Sequence, residues 1–449
     1  MKSNTPIIDF VKEYINSGNL RLHMPGHKGR SFLGCEACDI TEFDGADVLY
    51  HADGIISESM QNASELFGTA KTLYSAEGSS LSIRAMMYLA VLYAKSCGKK
   101  PLIFAGRNAH KTFVTAAGLL DFDIKWLYGK SNGIAECMIS KEQLETELSD
   151  ADEKPVAVYI TSPDYLGNIA DIHGISQTCK KYGVLLLVDN AHGAYLNFLP
   201  ENRHPIYLGA DMCCDSAHKT LPALTGAGYL HISRNAPEEF CRNSGKAMSL
   251  FASTSPSYLI LQSLDGLNKY LAEGYTRKLK NFCDRISVLK ERLALDGISI
   301  YGDEPLKITL KPKKIGYTGT ELAQYLKENG IVCEFYDPDY VVLMLTPENG
   351  DDITEKIYDV LSKLDKKAEI TECPPSFENP KIAASVKETL FAQTEHLPIE
   401  KCRGRVFAGI NAACPPAIPV AVCGELITES VIRMLEYYGE NECEVTAVM

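Results

Sequence analysis

Short apolar runs alternate with segments of helical periodicity through the middle of the chain. Val184–Val188 is an unbroken apolar run, and Val156–Thr161 and Pro101–Ala105 are similar runs. Runs of this length without polar alternation are typical of strands that are buried on both faces of a parallel sheet. Ile83–Tyr93, before the first of these runs in chain order, and Asp171–Tyr182, before the last, have the periodicity of helices. The alternation predicts an α/β fold with a mostly parallel sheet and helices on both faces.

The pattern differs at both ends of this region. Thr5–Ser17 has helical periodicity, and the pattern of Leu259–Asp296 predicts a long helical region. Beyond it, Leu306–Leu310 alternates like an antiparallel strand, and Ile331–Phe335 predicts another strand. We therefore expect three parts: residues 1–68 as an N-terminal arm and active-site segment, 69–296 as the large domain, and 297–449 as a small α+β domain with a linker near 372–379.

Composition narrows the classes of partner. The 449 residues suffice for two or three domains with a large core. A net charge of −13 argues against nucleic acid or an anionic membrane as the main partner, because both require a basic surface. No apolar run reaches the length of a membrane span, and the first ten residues lack an apolar signal core. We expect a cytoplasmic protein.

The cysteines predict neither disulfides nor a metal site. There are 15, an odd number without a regular framework, which is typical of reduced thiols. Cys35 and Cys38 form a single C-x-x-C, but a structural zinc site would need a second such pair. We expect no metal.

Asp189 and Lys219 are the strongest candidates for chemistry. Asp189 directly follows the run Val184–Val188, and Lys219 comes 30 residues later (219 − 189). A carboxylate at the carboxyl end of a buried strand faces the crevice where open α/β sheets bind ligands. A lysine one crossover further on suggests a Schiff base to pyridoxal phosphate, with the acid pairing with the pyridine nitrogen. The alternative is a surface lysine and an aspartate that caps a helix.

A small-residue turn is the candidate for binding the cofactor's phosphate. Gly78, Ser79 and Ser80 come directly before the helical segment Ile83–Tyr93. Free backbone N–H groups and the helix dipole favour an anion at such a position. Most turns of this kind, however, are simple helix caps.

These residues belong to motifs that resemble those of the ornithine/lysine/arginine decarboxylase family, whose members are fold type I pyridoxal-phosphate enzymes. The resemblance extends over nearly the whole chain. It is carried by Ser216–Lys219 with Leu221 and Ala223–Thr225, by Pro25–Lys28, by Arg107–Thr112, by Ser253–Tyr258, and by Ala413–Pro419 with Cys423–Glu425.

The resemblance implies a role for each candidate residue. Lys219 would hold the cofactor, Asp189 would pair with its ring nitrogen, and His218 or the released Lys219 would reprotonate the substrate carbon. His110 would stack on one ring face and Ala191 on the other. The remaining implied cofactor contacts are Gly78, Ser79, Ser80, His192, Ser216 and, from the partner subunit of a homodimer with shared active sites, Thr254.

The implied reaction is decarboxylation of a small-molecule basic amino acid, with arginine ahead of lysine or ornithine. The acids Asp39, Glu42, Asp44 and Asp47 are candidates for contacting the substrate's cationic side chain. The chain resembles short family members without the N-terminal wing domain. Another fold type I reaction, such as an aminotransferase or lyase step, stays open, as does a catalytically weak cofactor-binding regulatory protein.

Departures from the family pattern motivate the last alternative. Asn190 stands for a usual Glu and Asp215 for a usual Gln. An extra acid, Glu77, lies beside the proposed phosphate turn. The other departures close to the motifs are Tyr195, Ala217, Gly226, Cys414 and Ala417. They put the substrate in doubt more than cofactor attachment.

Overall fold

A seven-stranded sheet is the main element of the protein in a computed structural model, which describes residues 4–129, 137–410 and 418–447. Its strands are β1 (Lys71–Ser75), β2 (Leu102–Gly106), β3 (Asp123–Leu127), β4 (Ala157–Thr161), β5 (Leu185–Asp189), β6 (Met212–Asp215) and β7 (Gly228–Ile232). They lie in the order β1-β7-β6-β5-β4-β2-β3. β2 and β3 are parallel, as are β5 and β6, whereas β7 is antiparallel to β6 and β1. The predicted α/β class with a mostly parallel sheet is confirmed.

The helices follow the predicted alternation. They are α1 (Pro6–Asn16), α2 (Ile55–Phe67), α3 (Gly78–Ser96), α4 (Lys111–Leu120), α5 (Lys141–Ser149), α6 (Ile172–Tyr182), α7 (Pro205–Leu208), α8 (Ala217–Thr220), α9 (Glu238–Ser249), α10 (Tyr258–Ala272), α11 (Tyr275–Leu295), α12 (Gly319–Glu328), α13 (Ile353–Leu361), α14 (Val386–Leu390) and α15 (Glu429–Tyr437). Among the described residues, no helix combines the length and the apolar character that crossing a membrane requires.

The chain divides into two compact units. The first comprises Met1–Lys99, Val156–Val158 and Ile172–Lys278. In it, α3 packs against β6 and β7, and its buried residues, among them Leu81, Ala85 and Leu89, form a continuous apolar face. Burial of this face positions the first turn of α3 at one end of the strands.

The second unit comprises Lys100–Pro155, Tyr159–Asp171 and Leu279–Met449. It contains an antiparallel sheet of β8 (Ser299–Tyr301), β9 (Lys307–Lys311), β10 (Phe335–Tyr336) and β11 (Val341–Met344), and the pair β12 (Thr394–Pro398) and β13 (Glu442–Thr446). Within this unit Arg107 forms two hydrogen bonds to Glu425, at 2.8 and 2.7 Å. Both side chains are buried, so the ion pair anchors the segment after β2 to the carboxyl-terminal segment. The domain boundaries predicted from sequence remain a prediction.

Two element predictions were wrong in detail. The long helical region is interrupted, because Gly274 has a φ of +86° and so separates α10 from α11. The strand predicted at Ile331–Phe335 is reduced to Phe335–Tyr336. Ile331 instead donates its N–H to the Leu326 carbonyl at the end of α12, at 2.8 Å. Local backbone bonds at the helix end therefore replace strand pairing there.

Candidate active site

Lys219 lies on the short helix α8, directly after β6. Its side chain is half-buried, and its Nζ lies 3.1 Å from Nε2 of His192. The backbone N–H of Lys219 donates to the Ser216 carbonyl at 3.1 Å, which ties the lysine to the end of the strand. The predicted lysine and one of its predicted neighbours are therefore in contact.

Asp189 is the last residue of β5, and its register partner in β6 is Cys214. It is 2% exposed. Its Oδ1 accepts the Ala191 N–H at 3.2 Å and the Cys214 thiol at 3.5 Å. Asp189 therefore lies at the end of a buried strand, as predicted, with Ala191 and His192 directly after it in the chain.

The predicted phosphate turn opens α3 in the same unit. Gly78 has a φ of +65°, and its N–H donates to the Gly226 carbonyl at 2.7 Å. Ser216 Oγ donates to Ser79 Oγ at 2.9 Å, so the turn meets the segment that carries Lys219. A Cβ at Gly228 would lie 2.9 Å from the Gly78 carbonyl carbon, and only glycine permits this approach. Ser80 follows in the first turn, half-buried.

His218 borders this turn. Its Nδ1 donates to the Ala227 carbonyl at 2.8 Å, which assigns a proton to that nitrogen. Its Cε1 would lie 3.7 Å from a Cβ at Gly78. The imidazole is thus fixed against the start of α3.

Glu77, the extra acid beside the proposed phosphate turn, binds a different segment of the chain. Its carboxylate accepts the Ser253 N–H at 2.7 Å. The acid therefore holds the loop that carries Thr254, whose side chain is exposed. The predicted contact of Thr254 with a partner subunit's cofactor remains a prediction.

His110 belongs to the second unit. It precedes α4 and caps it, since its Nδ1 accepts the Thr112 N–H at 3.3 Å. Its side chain is exposed. Stacking of His110 on a cofactor ring remains a prediction.

One predicted substrate-binding acid is used by the fold. Asp47 has a φ of +69° and caps the start of α2. It accepts backbone N–H groups from Val48, Asp53, Gly54, Ile56 and Ser57. Asp39 lies 3.2 Å from His27, and Glu42 accepts the Thr41 hydroxyl. Asp47 is therefore a structural residue in this unit.

Sequence reasoning missed a buried network around Asp215. Asp215 Oδ2 accepts from Nε2 of His204 at 3.1 Å and of His231 at 3.2 Å, and Oδ1 accepts from Asn190 Nδ2 at 2.7 Å. Thr72 Oγ1 lies 2.9 Å from Nδ1 of His231. Burial alone would raise the pKa of Asp215, but the two histidines outweigh it and hold the pKa well below its usual range. The two departures Asn190 and Asp215 are thus partners of each other.

This network also has the donor types of a metal site. The ligand atoms of His204, Asp215 and His231 lie within 4.8 Å of one another. Their distances of 3.1 and 3.2 Å are those of N–H···O hydrogen bonds, which account for the arrangement. The only sequence signal was the pair of departures at positions 190 and 215.

The other departures are two buried residues, one glycine with a positive φ and two residues outside the described part of the chain. Tyr195 and Ala217 are fully buried. Gly226 has a φ of +96°, a conformation that suits glycine. Cys414 and Ala417 lie outside the described residues.

The fold resembles solved lysine decarboxylases. Constitutive lysine decarboxylase from Escherichia coli matches with a TM-score of 0.78 at 17% identity, covering 99% of this chain and 82% of that one. Lysine decarboxylase from Francisella novicida matches with a TM-score of 0.80 at 17% identity, covering 99% and 81%. At this identity the likeness defines the fold, which is the predicted fold type I architecture.

Sequence comparison defines the family. Residues 5–311 match the model described as Orn/Lys/Arg decarboxylase, major domain. An arginine decarboxylase from Halalkalibacterium halodurans is 30% identical over 98% of this chain and 94% of its own length. An arginine decarboxylase from Bacillus subtilis is 28% identical over 96% and 93%. The chain belongs to the Orn/Lys/Arg decarboxylase family.

Proposed function

We propose that this protein is a pyridoxal-phosphate-dependent decarboxylase of a basic amino acid, with arginine as the first candidate and lysine or ornithine next. The products are carbon dioxide and the corresponding amine. The observation that carries the proposal is the grouping of Lys219, His192 and the Ser79–Ser216 contact within one compact unit, with Asp189 at the end of the neighbouring strand.

The residues fit this cofactor. Lys219 supplies a half-buried primary amine for the cofactor's aldehyde. The first turn of the 19-residue helix α3, with the Ser79 and Ser216 hydroxyls, suits a phosphate. Asp189, buried at a strand end, suits a protonated pyridine nitrogen. The lysine, the turn with its hydroxyls and the aspartate thus match the aldehyde, the phosphate and the ring nitrogen of the cofactor.

When bound, the cofactor supplies an electron sink for the electrons that carbon dioxide leaves behind. The chain supplies the electrostatics and the proton transfers. Asp189 would hold a proton on the ring nitrogen and so stabilise negative charge as it develops. The Lys219 amine lies 3.1 Å from Nε2 of His192, close enough for the two groups to exchange a proton.

Arginine is the first candidate because three relatives that match nearly the full length of the chain are arginine decarboxylases. Asp39 and Glu42 remain candidates for the substrate's cationic group, whereas Asp47 is committed to α2. Assembly as a homodimer with active sites at the subunit interface, and Thr254 as a contact across it, are part of the proposal.

The test is incubation of the protein, supplied with pyridoxal phosphate, with arginine, lysine and ornithine in turn. We expect carbon dioxide and the matching amine from one of them, most rapidly from arginine. Lys219→Ala removes the attaching amine and is expected to lower the rate at least about 10³-fold. Lys219→Arg is the matched control, because it keeps the positive charge without a nucleophilic amine.

Other outcomes separate the alternatives. A keto acid product with the amine form of the cofactor would identify an aminotransferase. Cofactor bound through Lys219 without any product would identify a regulatory protein. If the wild-type protein takes up no pyridoxal phosphate, both the proposed enzyme functions and the regulatory function are wrong.

A further inference from the structure

His192 is in direct contact with the amine of Lys219. The Nε2–Nζ distance is 3.1 Å, and the histidine is 7% exposed. Close by in sequence, Asp189 Oδ1 accepts the Ala191 N–H, and His218 Nδ1 donates to the Ala227 carbonyl. The contact at 3.1 Å places a base, the His192 imidazole, beside the lysine amine.

The chemistry of the two groups assigns the direction of the contact. A lysine ammonium has three N–H donors and no lone pair, so Nε2 of His192 must accept from it. The amine can attack an aldehyde only after it has lost that proton. Nε2 is within the distance at which a general base acts.

The backbone holds this contact in place. Asn190 accepts the Gly193 N–H through its carbonyl at 2.7 Å, which closes a turn around His192. A Cβ at Gly193 would lie 2.0 Å from Asn190 Oδ1, so only glycine fits there. The Ser216 N–H donates to the Ala191 carbonyl at 3.3 Å, which joins this turn to the segment that carries Lys219.

We propose that His192 is a catalytic residue: the base that takes the proton from the Lys219 ammonium and so prepares the amine for attachment of the aldehyde cofactor. The Nζ–H bond breaks, its electron pair stays on Nζ, and the proton binds the lone pair of Nε2. The positive charge moves from lysine to histidine. The inference rests on the proposed function, since it concerns the lysine to which the cofactor attaches.

The test measures attachment rather than turnover. Cofactor-free protein is mixed with pyridoxal phosphate, and the rate is followed by visible absorption, with borohydride reduction and mass spectrometry to locate the cofactor on Lys219. His192→Ala is expected to slow attachment about 10²-fold. Added imidazole fits the space of the deleted ring and is expected to restore the rate in proportion to its concentration.

Two further variants complete the experiment. His192→Gln fills the space without a group that takes a proton, so it is expected to be slow and insensitive to imidazole. It also decides the question should His192→Ala fail to fold, because a wild-type rate would overturn the inference. His173→Ala, an exposed histidine on α6, is the matched control and is expected to attach the cofactor at the wild-type rate.

The outcomes separate the two levels of the proposal. Wild-type attachment at Lys219 with an unchanged rate in His192→Ala, or a slow rate that imidazole does not restore, would overturn the role of His192 and leave the proposed function intact. A wild-type protein without cofactor on Lys219 would overturn both.

Discussion

The clusters around Lys219 and Asp215 lie a few residues apart in sequence and differ in almost every physical respect. Lys219 is half-buried, and its amine contacts a histidine. Asp215 is completely buried and accepts three hydrogen bonds. Asp189 and Asn190 are consecutive but have different partners: Asp189 accepts the Ala191 N–H and the Cys214 thiol, whereas Asn190 donates to Asp215, because successive side chains point to opposite faces.

A buried network that stabilises the strand ends and a half-buried lysine are thus only a few residues apart in the chain. The Asp215 network pairs its carboxylate with two histidines and an amide, so both carboxylate oxygens already accept hydrogen bonds. It joins the ends of β5, β6 and β7 through Asn190, Asp215 and His231. Lys219 itself is half-buried, so its amine would be accessible to the proposed cofactor.

The largest expected effect comes from breaking the Asp215 network. Asp215→Leu leaves the His204, His231 and Asn190 donors buried without an acceptor, so we expect the free energy of unfolding to fall by about 3–5 kcal/mol. Urea unfolding followed by circular dichroism measures this. A loss below about 1 kcal/mol would mean that the network does not stabilise the strand ends.

Asp215→Asn is the matched control for charge. Its amide oxygen can accept from both histidines, and the Asn190 side chain can turn its oxygen towards the new NH₂ group. We therefore expect a smaller loss of stability than in the leucine variant. An equal loss would assign the stabilisation to the ion pair alone.

A second buried acid, Asp265, affects stability with a pH dependence opposite in sign to that of Asp215. Asp265 accepts the N–H groups of Ile7 and Ile8 and the Ser59 hydroxyl. Burial raises its pKa to about 6, against the opposing effect of these hydrogen bonds. The native state therefore binds more protons than the unfolded state between about pH 4 and pH 6, and stability falls as the pH rises through this window.

Asp265→Asn removes this titration. We expect the wild-type protein to lose about 2–3 kcal/mol of stability relative to the variant between pH 4 and pH 7. Urea unfolding of both proteins at several pH values measures the slope. Asp215 contributes with the opposite sign, because its lowered pKa gives stability that is lost only in strong acid. Parallel curves for wild type and Asp265→Asn would contradict the assignment.

The smallest expected effect is at the proposed phosphate turn. Ser79→Ala removes one hydroxyl and is expected to weaken pyridoxal phosphate binding about 5- to 10-fold, because a hydrogen bond to a charged group contributes about 1 kcal/mol or more. Equilibrium dialysis measures the affinity. Ser82→Ala is the matched control, since within the described part of the chain the buried Ser82 hydroxyl has no hydrogen-bond partner. Equal affinities for both variants would remove Ser79 from the site.

Short-range patterns made the fold and part of the site predictable. The apolar run before Asp189 and the small-residue turn at Gly78–Ser80 are local signals, and the structure has a strand end and a helix start there. The break between α10 and α11 at Gly274 was not predicted, because helical periodicity continues across the glycine that interrupts the helix.

By itself the sequence determined the order of strands and helices, the lysine after β6 and the acid at the end of β5, because apolar periodicity and turn residues act over a few positions. Only the tertiary structure decided that Asn190 and Asp215 are partners, that Glu77 binds the Ser253 loop, and that His192 contacts Lys219. These contacts join residues 25, 176 and 27 positions apart. Strand register and the packing of the chain, which no local pattern encodes, bring them within hydrogen-bond distance.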